Sequence, residues 1–198
     1  MTIRVGLFGG TFNPIHLGHL LLAETARERL ALDRVLFIPT RQPPHKRVRG
    51  LLPGAVRLAL VELAVRDHPA FAASDIELTR PGPSYSIETV RLLRQRLPAA
   101  KLFLLIGEDM LAVRWIAWGE LKRLCTVVAA RRPGTPCPAS ARGVTWLPMP
   151  QLEIASSDIR RRLAAGRSIR YLVPAAVERA IHRDRLYRRG GTTRRPTR

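Results

Sequence analysis

The sequence predicts an α/β fold, a doubly wound parallel sheet followed by a C-terminal helical segment. Two observations carry that reading: short, almost uniformly apolar β-prone runs recur along the chain, and stretches with one apolar helical face separate them. Strands without polar alternation are covered on both faces, the condition of a parallel sheet flanked by helices. The 198 residues fit one domain, assigned to 1–187, with a short tail at 188–198.

Residues 3–8 form the first expected strand, glycines interrupt it, and an apolar helical face runs over 20–30, giving strand, tight turn and helix. The next strand spans 34–39. Behind it Pro43-Pro44-His45-Lys46-Arg47 cannot extend a sheet, because proline lacks the donor, so a loop leaves the strand end there. Helical periodicity returns over 55–65, a strand is expected around 73–78, and Ser86, with Glu88 soon after it, is expected to cap a helix running to 97. Strands at 101–106 and 125–130 follow. Residues 132–143, which carry Pro and Gly, read as a surface loop. From Leu152 the pattern turns helical, over 157–165 with Gly166 as the stop and then from Pro174 to about 182. The alternation makes the sheet Rossmann-like, and such sheets bind ligands beyond the carboxyl ends of their strands, where the strand order reverses.

The chain carries 34 basic against 15 acidic residues, a net charge of +19, which invites an anionic partner. The excess is arginine scattered over every segment, aromatics are only 6%, and no RNA- or DNA-reading motif is present. No specific nucleic-acid partner is expected, since weak, salt-dependent DNA binding follows from this charge alone. The arginine-rich stretch 188–198 lacks apolar residues and is expected to be a disordered tail. No apolar run approaches the roughly 20 residues that span a bilayer, and the opening residues do not resemble a signal peptide. A cytoplasmic address without a membrane partner is therefore expected. Cys125 and Cys137 are too few for a disulfide framework or a zinc knuckle and read as reduced thiols. The sequence leaves an oligomer open.

The segment richest in chemistry is Gly9-Gly10-Thr11-Phe12-Asn13-Pro14-Ile15-His16-Leu17-Gly18-His19, between the first strand and the first helix. It contains neither G-x-G-x-x-G nor the P-loop lysine pattern. It still suits a nucleotide triphosphate. Gly9 and Gly10 let the backbone approach a ligand, the helix start offers free N–H groups and a positive dipole end, and two imidazoles three residues apart can face one phosphate chain. No third His, Cys or carboxylate stands nearby at a recognisable ligand spacing, so no protein-held metal is expected and zinc hydrolysis is disfavoured.

These residues resemble the nucleotidyltransferases with an H-x-G-H signature and, within them, the bacterial nicotinate-nucleotide adenylyltransferases. The resemblance extends over Pro43-Pro44-His45-Lys46, Ser84-Tyr85-Ser86-Ile87-Glu88-Thr89, Ile106-Gly107-Glu108-Asp109 with Trp115 and Trp118, Ile154-Ala155-Ser156-Ser157-Asp158-Ile159-Arg160, and Tyr171-Leu172-Val173-Pro174. It implies transfer of AMP from ATP to nicotinate mononucleotide with Mg²⁺, yielding the dinucleotide and pyrophosphate. It also implies that His16, His19, Lys46 and Arg160 work on the reacting phosphates. Gly9, Gly10, Thr11, Phe12, Gly18, Gly107, Asp109, Ser156 and Ser157 would surround ATP, while Asn13, Lys46, Ser84, Tyr85, Ser86, Trp115 and Trp118 would receive the mononucleotide. Trp115 or Trp118 would stack on the pyridine ring, and Asp109 would hold a ribose hydroxyl or cap the next helix. The resembling proteins usually carry serine where Ala155 stands. Nicotinamide mononucleotide is the alternative acceptor; a carboxylate gains charge-assisted hydrogen bonds that the amide does not.

Overall fold

The computed structural model describes residues 2–44, 50–131, 141–150 and 152–187. The expected tail at 188–198, the thiol of Cys137 and most of the expected 132–143 loop lie outside them. Six parallel strands form one sheet in the order β3-β2-β1-β4-β5-β6. They are β1 (Arg4–Gly10), β2 (Arg34–Pro39), β3 (Phe71–Ala73), β4 (Lys101–Gly107), β5 (Thr126–Arg131) and β6 (Thr145–Pro148). The helices are α1 (Leu17–Arg29), α2 (Gly54–Val65), α3 (Ser86–Arg96), α4 (Trp118–Leu124), α5 (Ser156–Ala164) and α6 (Ala175–Arg183), and a 3₁₀ turn spans Glu108–Ala112. No helix is long and apolar enough to cross a membrane among the described residues.

The apolar runs are strands covered on both faces. In β4, Phe103 and Leu105 join the core shared with Ala23 and Ala26 of α1, Leu60 and Val61 of α2, Ile159 of α5 and Val177 of α6. Leu102, Leu104 and Ile106 point the other way, into the core built with Ile87, Val90 and Leu93 of α3 and Leu121 of α4. Successive side chains of one strand thus meet different helical layers, which is why no polar alternation survives in the sequence. The C-terminal helices pack onto the same face as α1 and α2.

Three local expectations are corrected. The strand placed around 73–78 is β3, at Phe71–Ala73; Phe71 packs its ring 5.2 Å from that of Phe37, while Leu78 and Thr79 donate back to the Asp75 carbonyl and close a turn. Ser86 does not cap α3: it is the first helical residue, and Tyr85 occupies the cap position without a side-chain hydrogen bond. Helix α5 begins at Ser156, one residue early, with Ala155 at its cap. Gly166, at φ +66°, does stop it. Sequence reading missed α4, only seven residues long, and β6, only four; β6 reaches the sheet solely by pairing with β5. Periodicity is weak evidence over so few residues.

Candidate active site

The strand order reverses between β1 and β4, so the crevice beyond their carboxyl ends is where a ligand fits. Gly9 and Gly10 end β1, and Gly107 ends β4. Gly9 is exposed, and a Cβ built on it would meet nothing within 4 Å, so its backbone is open to a ligand. Gly10 has a different reason to be glycine. Its Cβ would stand 2.8 Å from the ring of Phe12, which folds back over it. Phe12 is 1% exposed and takes φ +43°, a conformation a bulky residue adopts only when packing imposes it. Asp109 is exposed beyond β4, with its carboxylate lying over Gly107.

The turn delivers two histidines to the start of α1. His16 is the N-cap residue, and its ring stacks on His19 with centroids 3.6 Å apart and planes 26° from parallel. Gly18 makes room for this: a Cβ there would lie 3.1 Å from His16 Nδ1. The His16 N–H donates to His19 Nδ1 at 3.2 Å. Nδ1 is thus an acceptor, and the neutral ring carries its proton on Nε2, the opposite edge. Phe8 and Phe12 present edges to the His19 ring at 5.9 and 5.0 Å. Burial lowers the His16 pKa to about 4, so this imidazole is neutral near pH 7. Two stacked imidazoles would repel if both were protonated, and a neutral His16 removes that cost.

The segment 155–160 docks onto the first turn. Arg160 Nη1 donates to the Asn13 carbonyl at 2.8 Å, and Ser156 Oγ donates to the Pro14 carbonyl at 2.9 Å. Ser157 Oγ turns to Asp158 at 3.3 Å and is exposed. Ala155 leaves the α5 N-terminus without a hydroxyl cap.

Sequence reading missed two members of this cluster, Arg57 and Tyr187, which meet the expected site residue Asn13 and its neighbours. Arg57 is 1% exposed and donates from Nε to Leu52, from Nη1 to Thr11 and from Nη2 to Thr40, all backbone carbonyls. Tyr187 donates its hydroxyl to Asn13 Oδ1 at 2.9 Å, and burial raises its pKa. Asn13 itself, 1% exposed, also accepts from Leu52 N and donates to the Gly50 carbonyl. One signal was available for Arg57: it shares the α2 face of the buried Leu60, Val61 and Val65, where a solvated arginine has no place.

On the other side of the crevice, Ser84 is buried and accepts from Arg41 N at 2.9 Å. Ser86, Thr89, Glu77 and Gly9 line one cavity of about 10 Å³, room for about one water. Glu77 was also missed. It is 4% exposed and accepts from Thr89 Oγ1 at 2.7 Å; burial, partly opposed by the Thr89 and Ser84 hydroxyls, raises its pKa. Trp115 and Trp118 lie side by side, centroids 5.3 Å apart, and Trp115 Nε1 donates to the Met110 carbonyl at 2.7 Å. The geometry keeps both as stacking candidates. Lys46 lies outside the described residues.

No three His, Cys, Asp or Glu side chains gather into a ligand set among the described residues. A divalent ion arriving with a triphosphate would be held by phosphate oxygens and water, as Mg²⁺ commonly is.

Comparison with known proteins agrees with this architecture. The cytidylyltransferase-like family model matches residues 7–162. A relative from Thermomicrobium roseum named "Probable nicotinate-nucleotide adenylyltransferase" is 45% identical over 196 residues, covering 93% of this chain and 92% of its own. One of the same name from Thermus thermophilus is 46% identical over 188 residues, covering 94% and 100%. The solved Plasmodium falciparum nicotinic acid mononucleotide adenylyltransferase complexed with NaAD shares the fold at TM-score 0.78 and 14% identity, covering 93% of this chain and 97% of its own. The chain belongs to the cytidylyltransferase-like family and, within it, to the nicotinate-nucleotide adenylyltransferases.

Proposed function

We infer that this protein transfers AMP from ATP to nicotinate mononucleotide, forming nicotinate adenine dinucleotide and pyrophosphate. A phosphate oxygen of the mononucleotide attacks the α-phosphorus of ATP, the bond from that phosphorus to the bridging oxygen breaks, and pyrophosphate leaves with the electron pair. The nucleophile has a second pKa near 6 and is already dianionic at neutral pH, so no general base is needed. What the site must supply is in-line positioning of two polyanions and donors for the charge that grows on the leaving group.

One observation carries this reading: a stacked pair of imidazoles at the helix start beyond β1, placed at the strand-order reversal. His19, its proton directed to Nε2, acts as a neutral donor to the triphosphate. His16 and the first N–H groups of α1 extend the cradle. Arg160 supplies a fixed cation and anchors the turn through Asn13, and Lys46 is assigned to a substrate phosphate. Gly9, Thr11, Gly18 and the α5 start with Ser156 and Ser157 surround ATP, Gly107 and Asp109 take its ribose side, and Gly10 and Phe12 shape the turn beneath. Ser84, Tyr85, Ser86 and one of Trp115 and Trp118 receive the pyridine nucleotide. Mg²⁺ arriving with ATP would supply charge neutralisation for the leaving pyrophosphate, since no protein ligand set gathers among the described residues.

Purified protein with ATP, Mg²⁺ and equal concentrations of nicotinate mononucleotide, nicotinamide mononucleotide and phosphopantetheine tests the reading through pyrophosphate release. Release with the nicotinate form above the others is expected; preference for the amide overturns the acceptor assignment. In a folded His19→Ala protein turnover should fall more than affinity, and unchanged turnover removes His19 from the chemistry.

A further inference from the structure

Arg57 sits in the first turn of α2, whose cap is Pro53 and whose first turn carries no acidic residue. A cation there opposes the positive end of the helix dipole. It is also almost wholly buried, at 1% exposure, and among the described residues it forms no ion pair. Its three acceptors are neutral carbonyls. They satisfy donors without cancelling charge, so the guanidinium keeps an uncompensated desolvation cost on top of the unfavourable dipole. Burial lowers its pKa, yet arginine keeps its proton.

The carbonyls it gathers come from the three segments around the phosphate turn. Thr11 lies in the turn itself. Thr40 follows β2 and donates its own N–H to the Gly10 carbonyl at 2.9 Å. Leu52 lies between the segment that carries Lys46 and α2, and donates to Asn13. Among the described residues, the titratable group bearing on Arg57 is Tyr187, whose hydroxyl is already given to Asn13.

We propose that Arg57 is a positioning residue of the transferase: a buried, uncompensated cation that clamps the phosphate turn to the end of β2 and to the segment before α2, and holds a fixed positive potential beneath the reacting phosphates. This rests on the transferase reading above. Being shielded from solvent, the charge is little screened by salt, and being pre-fixed it needs no reorganisation as the leaving group gains charge.

The test uses the full chain with Arg57→Lys and Arg57→Gln, each checked by circular dichroism and thermal melting. Burial lowers the pKa of a lysine, so at this position it loses its proton as the pH rises from 7 to 9, whereas arginine does not. Expected is a wild-type kcat that stays level between pH 7 and 9, an Arg57→Lys kcat that falls about tenfold or more over the same range with an unchanged KM for the mononucleotide, and an Arg57→Gln kcat low throughout. Folded variants whose kcat follows the wild type at every pH, with only a lower melting temperature, overturn the proposal and make Arg57 a structural residue. Failure of both variants to fold overturns it as well. A wild-type protein inactive with every acceptor defeats the transferase reading instead, so the two failures are distinguishable.

Discussion

The Arg160 guanidinium donates to the main-chain carbonyl of Asn13 at 2.8 Å across 147 residues of sequence. This contact joins the turn after β1 to the start of α5 as one unit, because Asn13 precedes the imidazole pair and Arg160 lies one turn into α5. A hydrogen bond to a charged donor contributes about 1.5–3 kcal/mol. Arg160→Ala is therefore expected to lower kcat/KM for ATP by roughly ten- to a hundredfold, read by steady-state pyrophosphate release. A loss under threefold would mean that the contact organises nothing.

Gly18→Ala should separate activity from stability. The added Cβ would stand 3.1 Å from Nδ1 and 3.3 Å from Cε1 of His16, so the ring must shift by a few tenths of an ångström. Misplacement of about 1 Å can cost about a hundredfold in rate, and a kcat loss of roughly tenfold is expected. Alanine gains about 1 kcal/mol over glycine in a helix, so the melting temperature should hold or rise. Retained kcat would show that the imidazole stack tolerates movement.

His16 makes stability fall in mild acid. Its folded pKa is about 4 against 6.5 for the free side chain, so the unfolded chain binds more protons between those values. The contribution is present above pH 6.5 and is lost as the pH falls from there toward about 4, by up to about 3 kcal/mol. Urea unfolding at pH 7 and pH 4.5 should show a smaller drop for His16→Asn than for the wild type, and equal drops would place the imidazole in water.

Glu77 has the opposite sign. Its pKa is raised above 4.5 by burial, so the fold favours the protonated acid, and the stability it contributes at low pH is lost as the pH rises through the raised value. Glu77→Gln keeps an acceptor for Thr89 and cannot ionise. It should melt higher than the wild type at pH 8, with the gap closing by pH 5. A gap that widens toward acid would contradict the buried-acid assignment.

The sequence alone was enough to establish the alternating strands and helices, the glycine-and-histidine turn between β1 and α1, and the family, because each is written in contiguous residues: apolar runs for doubly covered strands, and a motif whose spacing sets a helix start. Short elements such as β6 and α4, and the cap at Tyr85, were beyond it, since a few residues carry little periodicity and their geometry is set by neighbours. Tertiary structure decided which groups meet. Asn13 became a hub for Arg160, Tyr187 and Leu52, Gly10 proved necessary for the ring of Phe12, and Arg57 and Glu77 emerged as buried ionisable groups flanking the crevice. Charge and hydrogen-bonding capacity are local to a side chain, whereas the burial that turns them into fixed potentials and shifted pKa values depends on distant segments that only folding brings together.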